Sequence, residues 1–137
     1  MRIVATPAQI GVREGRRLHG LYTISADDLR EGRSQPDAVC KATFPIDVHS
    51  TNPRKEKGIE KVGFRTKPYD IPLRALIARE VTGLMMAGRC ISGDFLAHSS
   101  YRVTGNAAAM GAAAGAVAAE AAKTNRLPQE VSIKEIS

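Results

Sequence analysis

The sequence predicts an α/β protein, and three consecutive features in its second half carry that prediction. Residues 83–87 form an apolar run with the length of a strand that is buried on both faces. Gly88 and Arg89 follow as a glycine turn. The segment 106–122 then consists mostly of Ala, the residue with the highest helix propensity. We therefore expect a buried strand, a glycine turn and an Ala-rich helix, in that order.

The N-terminus of the predicted helix is the first candidate site. In such a unit the helix begins at the carboxyl end of the strand, and its first N–H groups have no partner within the helix. These groups carry partial positive charge and can hold an anion or an electron-rich carbonyl. Thr104 is the preferred N-cap and Ser100 the alternative. An irregular polar passage through His98 is expected to line the mouth of this pocket.

The earlier part of the chain predicts short elements separated by glycine and proline. We expect a short helix from Ser25, which is followed by acidic residues and closed by Gly32. A strand at 69–77, interrupted by Pro72 and therefore an edge or bulged strand, is expected as well. A pair of strands, with a hairpin as one option, is expected from a short strand at 2–5 and a second extended stretch made of 9–12 with 18–23. The remaining expected segments are a helical turn at 36–40, an extended segment at 44–48, a loop at 50–67 and a small capping helix at 129–136.

Several separated blocks resemble one protein family, and they occur in the family's order. The blocks are QIGVREGRR (9–17), FPIDVH (44–49), YDIPLR (69–74), and the group AGRCIS (87–92), AHSSYRV (97–103) and NAAAMGAAAG (106–115). They are similar to the C-terminal portion of FAD-dependent oxidoreductases with a glutathione-reductase-like flavin fold. The resemblance spans residues 3–136. It implies part of a mixed α+β substrate or cap domain in residues 1–78, followed by a fragment of a Rossmann-like FAD-binding domain in residues 79–137.

The dinucleotide-binding motif of this family is missing from the sequence. Such enzymes hold the FAD pyrophosphate on a G-x-G-x-x-G turn that joins a strand to a helix. No G-x-G occurs in these 137 residues. We therefore expect a fragment, a truncated gene product or one half of a split protein. The missing half, or a second copy of the chain, is the expected partner.

The resemblance implies a set of FAD-binding residues around the glycine turn and the helix start. They are Gly88, Arg89, Ser92, Arg102, Val103, Thr104 and Gly105. The turn at Gly88 and Arg89 would lie along the ribityl chain or the pyrophosphate. The alternative is that Gly88 only makes the turn and Arg89 pairs with a carboxylate. The amides near Thr104 would face the pyrimidine edge of the flavin, where reduction places negative charge.

Four residues are candidates for catalysis, and each has a structural alternative. His98 and His49 are potential proton donors or substrate-binding groups, because imidazole titrates near neutral pH. Asp47 could orient His49 only if the strand bends between them. Arg13 and Arg17, together with Glu14, are candidate supports of the active site. The alternatives are hydrogen-bonding histidines of the framework and a buried structural ion pair.

Composition limits the other classes of function. The net charge of +6 invites a nucleic-acid interpretation, which the lack of a binding motif and the interruption of both basic clusters by Glu disfavour. Cys40 and Cys90 have no C-x-x-C spacing, so neither a zinc site nor a redox disulfide is predicted. The longest uncharged run is too short for a membrane span. A cytoplasmic location is expected, because no secretory leader is recognised.

Three functional hypotheses follow. The first is the C-terminal portion of an FAD-dependent oxidoreductase that holds FAD noncovalently. Its small-molecule substrate is unknown, and the arginines are compatible with an acidic group on it. The second is a non-catalytic remnant or split subunit that docks with a partner carrying the dinucleotide-binding half. The third, a basic nucleic-acid-binding module, predicts salt-sensitive binding to any duplex.

Overall fold

The chain forms a small mixed α/β structure of three α-helices and short strands. The computed structural model describes residues 5, 6, 8, 13–49, 59–60 and 62–136. The helices are α1 (Ala26–Glu31), α2 (Phe95–Tyr101) and α3 (Thr104–Thr124). The strands are β1 (Ala38–Ala42), β2 (Val48–His49), β3 (Ile59–Glu60) and β4 (Tyr69–Pro72). Short 3-10 helices lie at Leu73–Ala75, Gly88–Cys90, Pro128–Glu130 and Ile133–Glu135.

Two antiparallel strand pairs make up the sheet structure of the described residues. β1 pairs with β4, with Lys41 opposite Asp70, and β2 pairs with β3. β4 is buried along its whole length and ends at Pro72, so the predicted strand at 69–77 is confirmed only in its first half, and a 3-10 helix follows at Leu73–Ala75. The predicted helical turn at 36–40 is wrong, because residues 38–42 are strand β1. Pairing with β4 outweighs the weak local preference of that segment.

The predicted buried strand at 83–87 is also wrong. Within it, Met85 forms an isolated antiparallel bridge to Ile77. Gly83 takes a left-handed backbone conformation (φ 77°) and reverses the chain, so that the Ala78 N–H donates to the Leu84 carbonyl at 3.0 Å. Leu84 remains 38% exposed. A half-exposed turn therefore replaces the strand, and the Rossmann-like interpretation of this part stays a prediction.

α1 is confirmed with both of its predicted ends. The Ser25 N–H donates to the Asp28 carboxylate at 2.8 Å, which is half of a capping box. Gly32 ends the helix at φ 70°, where a Cβ would lie 2.9 Å from the Pro68 carbonyl oxygen. Strong local signals at both ends explain why this helix is visible in the sequence.

The predicted polar passage before the Ala-rich helix is wrong in its secondary structure. Residues 95–101 form α2, whose N-cap Asp94 accepts from the Ala97 N–H at 2.7 Å. α3 is confirmed as a long helix, but its N-cap is Val103, without a side-chain hydrogen bond. Thr104 is the first helical residue. Ser100 lies inside α2, where its hydroxyl donates to the Phe44 carbonyl.

The end of the chain agrees with the sequence in part. α3 ends at Asn125, which takes a left-handed conformation (φ 51°), so the predicted break after the helix is confirmed. The predicted capping helix at 129–136 is wrong, because two separate 3-10 turns occupy that region. Val131, between them, packs into an apolar cluster with Val117 and Ala121 of α3, as its predicted apolar contact requires.

The main apolar core joins the helices to the first strand pair. Its largest buried side chains come from α1, β4, α2 and α3, and include Leu29, Ile71, Tyr101 and Met110. The core holds the start of α3 in a fixed position relative to the preceding turn, since α3 also packs against the Gly88–Cys90 helix. This arrangement positions the candidate site.

Some predicted elements cannot be compared with the structure. Residues 2–4, 9–12, 50–58 and 61 lie outside the described residues. In place of the predicted strand, residues 18–23 contain the isolated bridge of Gly20 to Ala78, because no segment among the described residues pairs along their length. No described helix combines the length and the apolar character that a membrane span requires.

Candidate functional site

A cleft of about 430 Å³ opens at the N-terminus of α3. We call it the arginine cleft. Its lining consists of Arg13, Arg89, Arg102, Val103, Thr104 and Ala107. Five of these six residues belong to the predicted site, and the structure brings them together from three separate parts of the chain. Ala107, in the first turns of α3, is the residue that the sequence interpretation missed.

The turn at Gly88 holds Arg89 beside the helix start. Gly88 is buried and left-handed (φ 71°), and a Cβ there would lie 3.5 Å from the Ala107 Cβ. The turn therefore packs closely against the first turns of α3. Arg89 is exposed and makes no ion pair with any described residue. Its guanidinium is available to a ligand in the arginine cleft.

The first amides of α3 are unpartnered. None of the described residues accepts a hydrogen bond from the N–H groups of Thr104, Gly105 or Asn106, and the first intrahelical bond is Ala107 N–H to the Val103 carbonyl at 3.0 Å. Because Val103 has no capping side chain, these donors stay free. Gly105 leaves open space beside them. The helix start thus offers partial positive charge and hydrogen-bond donors next to the arginines.

Arg102 is the fixed basic group of the cleft. Its guanidinium donates to the Glu14 carboxylate at 3.1 Å and to the Asp47 carbonyl at 2.7 Å. The side chain is 7% exposed, and its Nε has no partner among the described atoms. These contacts tie the short connection between α2 and α3 to two distant segments. They orient Arg102 before any ligand arrives.

His49 and Arg13 share a carboxylate at the edge of this network. The His49 Nε2 lies 3.0 Å from Asp47 Oδ2, and the same oxygen lies 3.9 Å from the Arg13 guanidinium. The contact between neighbours two apart is possible because Asp47 precedes strand β2 instead of lying within it. His49 remains about half exposed. An oriented, accessible imidazole is suited to proton transfer.

His98 lies elsewhere, in the interior of the protein. Its ring is fully buried on α2 and packs edge-to-face on Tyr101 with centroids 5.5 Å apart. Neither ring nitrogen has a hydrogen-bond partner among the described residues. Burial, followed by the positive charge of Arg17, lowers the pKa of His98. The ring is therefore neutral near pH 7.

Arg17 and Ser92 line a different cleft. This second basic cleft has a volume of about 450 Å³ and is lined by Gly15, Arg16, Arg17, Leu18, His19, Gly20, Thr23, Arg79, Ser92 and Gly93. Arg17 also lies 3.5 Å from the Glu14 carboxylate that holds Arg102.

Among the described residues no group of three or more potential metal ligands occurs.

The geometry defines a basic site at a helix N-terminus, suited to an anion or an electron-rich carbonyl. A family model described as FAD dependent oxidoreductase matches residues 1–137. The chain therefore belongs to the FAD dependent oxidoreductase family. Searches against curated proteins and against solved structures give no match.

Proposed function

We propose that this chain supplies the flavin-contacting part of an FAD-dependent oxidoreductase. The observation that carries the proposal is the arginine cleft, where Arg89 lies beside three helix amides and all four groups lack partners among the described residues. These groups fit the polar, partly anionic chain and the carbonyl-rich edge of a flavin. When bound, FAD supplies hydride or electron transfer, and the protein supplies binding, orientation and electrostatics.

The roles within the cleft follow from the contacts of each residue. The amides of Thr104 and its two successors would hold the pyrimidine edge, and Gly105 keeps side chains out of their way. Arg89 would donate a charge-assisted hydrogen bond to the ribityl chain or a phosphate. Gly88 allows the close packing that places Arg89 there. Arg102, fixed by Glu14, would add positive potential without moving.

The substrate-side roles follow from where each side chain lies. His49, oriented by Asp47 and open to solvent, is suited to hold or transfer a proton at its ring nitrogen. Arg13 adds positive charge at the cleft edge. The buried, uncharged ring of His98 is suited to a role in the protein interior that requires no charge. Arg17 faces the second basic cleft, and we propose that it supports the substrate.

The remaining part of the cofactor needs residues that this sequence does not contain. No G-x-G motif is present for the pyrophosphate. We propose that another polypeptide segment provides it, either in the same protein or as a partner that docks on this chain. An apolar groove of about 520 Å³ between α3 and Ile133, lined by Ala109, Ala112 and Ala113, favours such docking. The proposed boundary between the substrate part and the FAD-binding part lies at residues 78 and 79.

The proposal is tested by calorimetric titration of the chain with FAD. Arg89→Gln should weaken binding by on the order of 1.5–3 kcal/mol, the contribution of a charge-assisted hydrogen bond. Arg65 offers a matched control, because it is exposed, lies outside both clefts and has no ion pair with a described residue. Arg65→Gln should leave the affinity unchanged. Equal affinities for the Arg89 and Arg65 variants would remove Arg89 from the site and contradict the proposal.

A further inference from the structure

The second basic cleft has a lining that selects for anionic oxygen atoms. Its basic and hydroxyl side chains are those of Arg16, Arg17, His19, Thr23, Arg79 and Ser92, and no acidic residue of the described chain lines it. The volume of about 450 Å³ lies in the usual range for small-molecule sites. Guanidinium groups match the geometry of carboxylate and phosphate oxygens and bind them through paired hydrogen bonds.

Two of the arginines are free to bind a ligand. Arg16 and Arg79 make no ion pair with any described residue, whereas Arg17 contacts the Glu14 carboxylate at a long 3.5 Å. The acidic residues of the described part of the chain therefore leave most of the positive charge of this cleft uncompensated. An anion that enters it would gain hydrogen bonds without displacing an existing carboxylate from Arg16 or Arg79.

The floor of the cleft is closely packed. The Thr23 and Ser92 hydroxyls lie 2.9 Å apart, within hydrogen-bonding distance. A Cβ at Gly20 would approach the Ser92 Cβ to 2.8 Å, and one at Gly93 would approach the Tyr101 ring to 2.6 Å. Glycine at both positions lets the backbone form a tight floor beneath the basic side chains.

The walls are held by backbone hydrogen bonds. The Leu18 N–H donates to the Cys90 carbonyl at 2.8 Å, and the Arg79 N–H donates to the His19 carbonyl at 2.9 Å. The second bond places the start of the Arg79 side chain beside the 16–19 segment. The basic groups thus converge on a preformed framework and not on a single flexible loop.

Glu14 connects this cleft to the arginine cleft. One carboxylate contacts Arg17 of the second basic cleft and Arg102 of the arginine cleft. We propose that the second basic cleft binds the carboxylate or phosphate group of a small acidic substrate, close to the proposed flavin position. The identification of the molecule as a substrate rests on the proposed function. The anion site itself does not.

The test uses the full 137-residue chain and two probes, inorganic phosphate and citrate, followed by backbone-amide NMR. At least one probe should bind saturably and shift the amides of residues 16–20. Arg79→Gln should weaken that binding about tenfold, as expected for the loss of a charge-assisted hydrogen bond. The phosphate and citrate arms distinguish the two sources of anionic oxygen. Arg16→Gln serves as a second variant if Arg79→Gln does not fold.

The controls separate this site from general basicity and from the proposed flavin site. Arg65→Gln removes the same charge outside both clefts, and Arg89→Gln removes it from the arginine cleft. Both should keep the probe affinity that the amides of residues 16–20 report, because those residues line the second basic cleft and not the arginine cleft. No saturable binding, equal weakening by Arg65→Gln, or weakening by Arg89→Gln with none by Arg79→Gln would each overturn the proposal.

A titration with FAD keeps the two proposals distinguishable. Arg79→Gln should leave FAD affinity unchanged while it weakens the probe. If FAD binding depends on Arg89 but neither probe responds to Arg79→Gln or Arg16→Gln, the anion site fails and the flavin site stands. If probe binding is weakened by Arg79→Gln or Arg16→Gln but FAD binding does not depend on Arg89, the flavin site fails and the anion site stands.

Discussion

Glu14 accepts a hydrogen bond from Arg102 at 3.1 Å, across a sequence separation of 88 residues. Arg102 is almost fully buried, whereas Glu14 is partly exposed. The contact fixes the position of a positive charge that lines the arginine cleft and precedes α3. It also leaves Arg17, which shares the carboxylate, at the boundary of the second basic cleft.

Replacing Glu14 should destabilise the fold through Arg102. In Glu14→Gln the buried guanidinium loses its charged partner and keeps the Asp47 carbonyl, so we expect a loss of about 1–2 kcal/mol in the free energy of unfolding. Urea unfolding measures it. The control is Glu31→Gln, whose pair with Arg33 is exposed and should contribute less than about 1 kcal/mol. Similar losses in both variants would mean that the Arg102 contact is no stronger than a surface ion pair.

Gly105 should be required for flavin binding and not for folding. A Cβ there meets nothing within 4 Å, so Gly105→Val should change the free energy of unfolding by less than about 1 kcal/mol. The branched side chain would cover the free amides and weaken flavin retention at least tenfold. Gly111→Val is the matched control, because Gly111 also lies on α3 with open space around it. Parallel losses of stability and of flavin binding in Gly105→Val would point to a packing role.

The chain alone should favour the flavin end of the cofactor over the adenosine end. Without a glycine-rich pyrophosphate cradle we expect dissociation constants for FAD in the high-micromolar to millimolar range, which correspond to binding free energies of roughly 4–5 kcal/mol. FMN should bind about as well as FAD, and ADP clearly more weakly. The purified chain should be colourless and should elute larger than a monomer. Tighter binding of ADP than of FMN would place the adenosine half on this chain instead.

His98 should make stability depend on pH below neutrality. Its pKa is lowered in the folded state by burial and by Arg17, so the unfolded chain binds the proton more readily. Stability is complete above the unfolded value of about 6.5 and declines as the pH falls from there toward the folded value. His98→Phe should abolish the part of this decline that His98 causes. Urea unfolding between pH 7.5 and pH 5 measures the difference.

A second variant separates titration of His98 from packing. His98→Gln also lacks a titrating group in this window, but its amide needs partners that the site does not offer to the ring nitrogens. It should share the flatter pH profile and be less stable than His98→Phe. An unchanged slope in both variants would assign the pH dependence to another group.

The secondary-structure elements that could be predicted from the sequence are those specified by residues within the same short segment. Ser25 and Gly32 mark the two ends of α1 because a cap and a left-handed stop act within a few residues. The alanines of α3 act in the same way through helix propensity. Gly88 identifies its turn because the left-handed backbone conformation there (φ 71°) favours glycine.

The missed elements depend on distant contacts. β1 exists because it pairs with β4, which begins 27 positions after Ala42, and nothing within residues 38–42 specifies that pairing. The apolar run at 83–87 matches a strand in composition, but no described segment pairs along its length. α2 had a readable signal, since Asp94 caps the Ala97 amide three positions later. The polar residues of that segment led instead to the prediction of an irregular passage.

The residues of the two clefts divide in the same way, into those that the sequence indicates and those that only the folded chain brings into place. The family resemblance led to Arg89, Arg102, Val103 and Thr104, which the structure brings to one cleft. Ser92 lines the other cleft, because its segment turns away between residues 89 and 92. Nothing in the sequence indicated that Arg79 belongs to a binding site. Its place depends on a backbone hydrogen bond to His19, which only the folded chain creates.

Backbone-amide NMR during titration with FAD tests the central claim most directly. If the arginine cleft binds the flavin end, the largest shifts should occur at Thr104, Gly105 and Asn106, whose amides lack partners among the described residues. Those shifts should be lost in Arg89→Gln and kept in Arg65→Gln. Shifts that cluster elsewhere, with the amides at the start of α3 unmoved at saturation, would contradict the account.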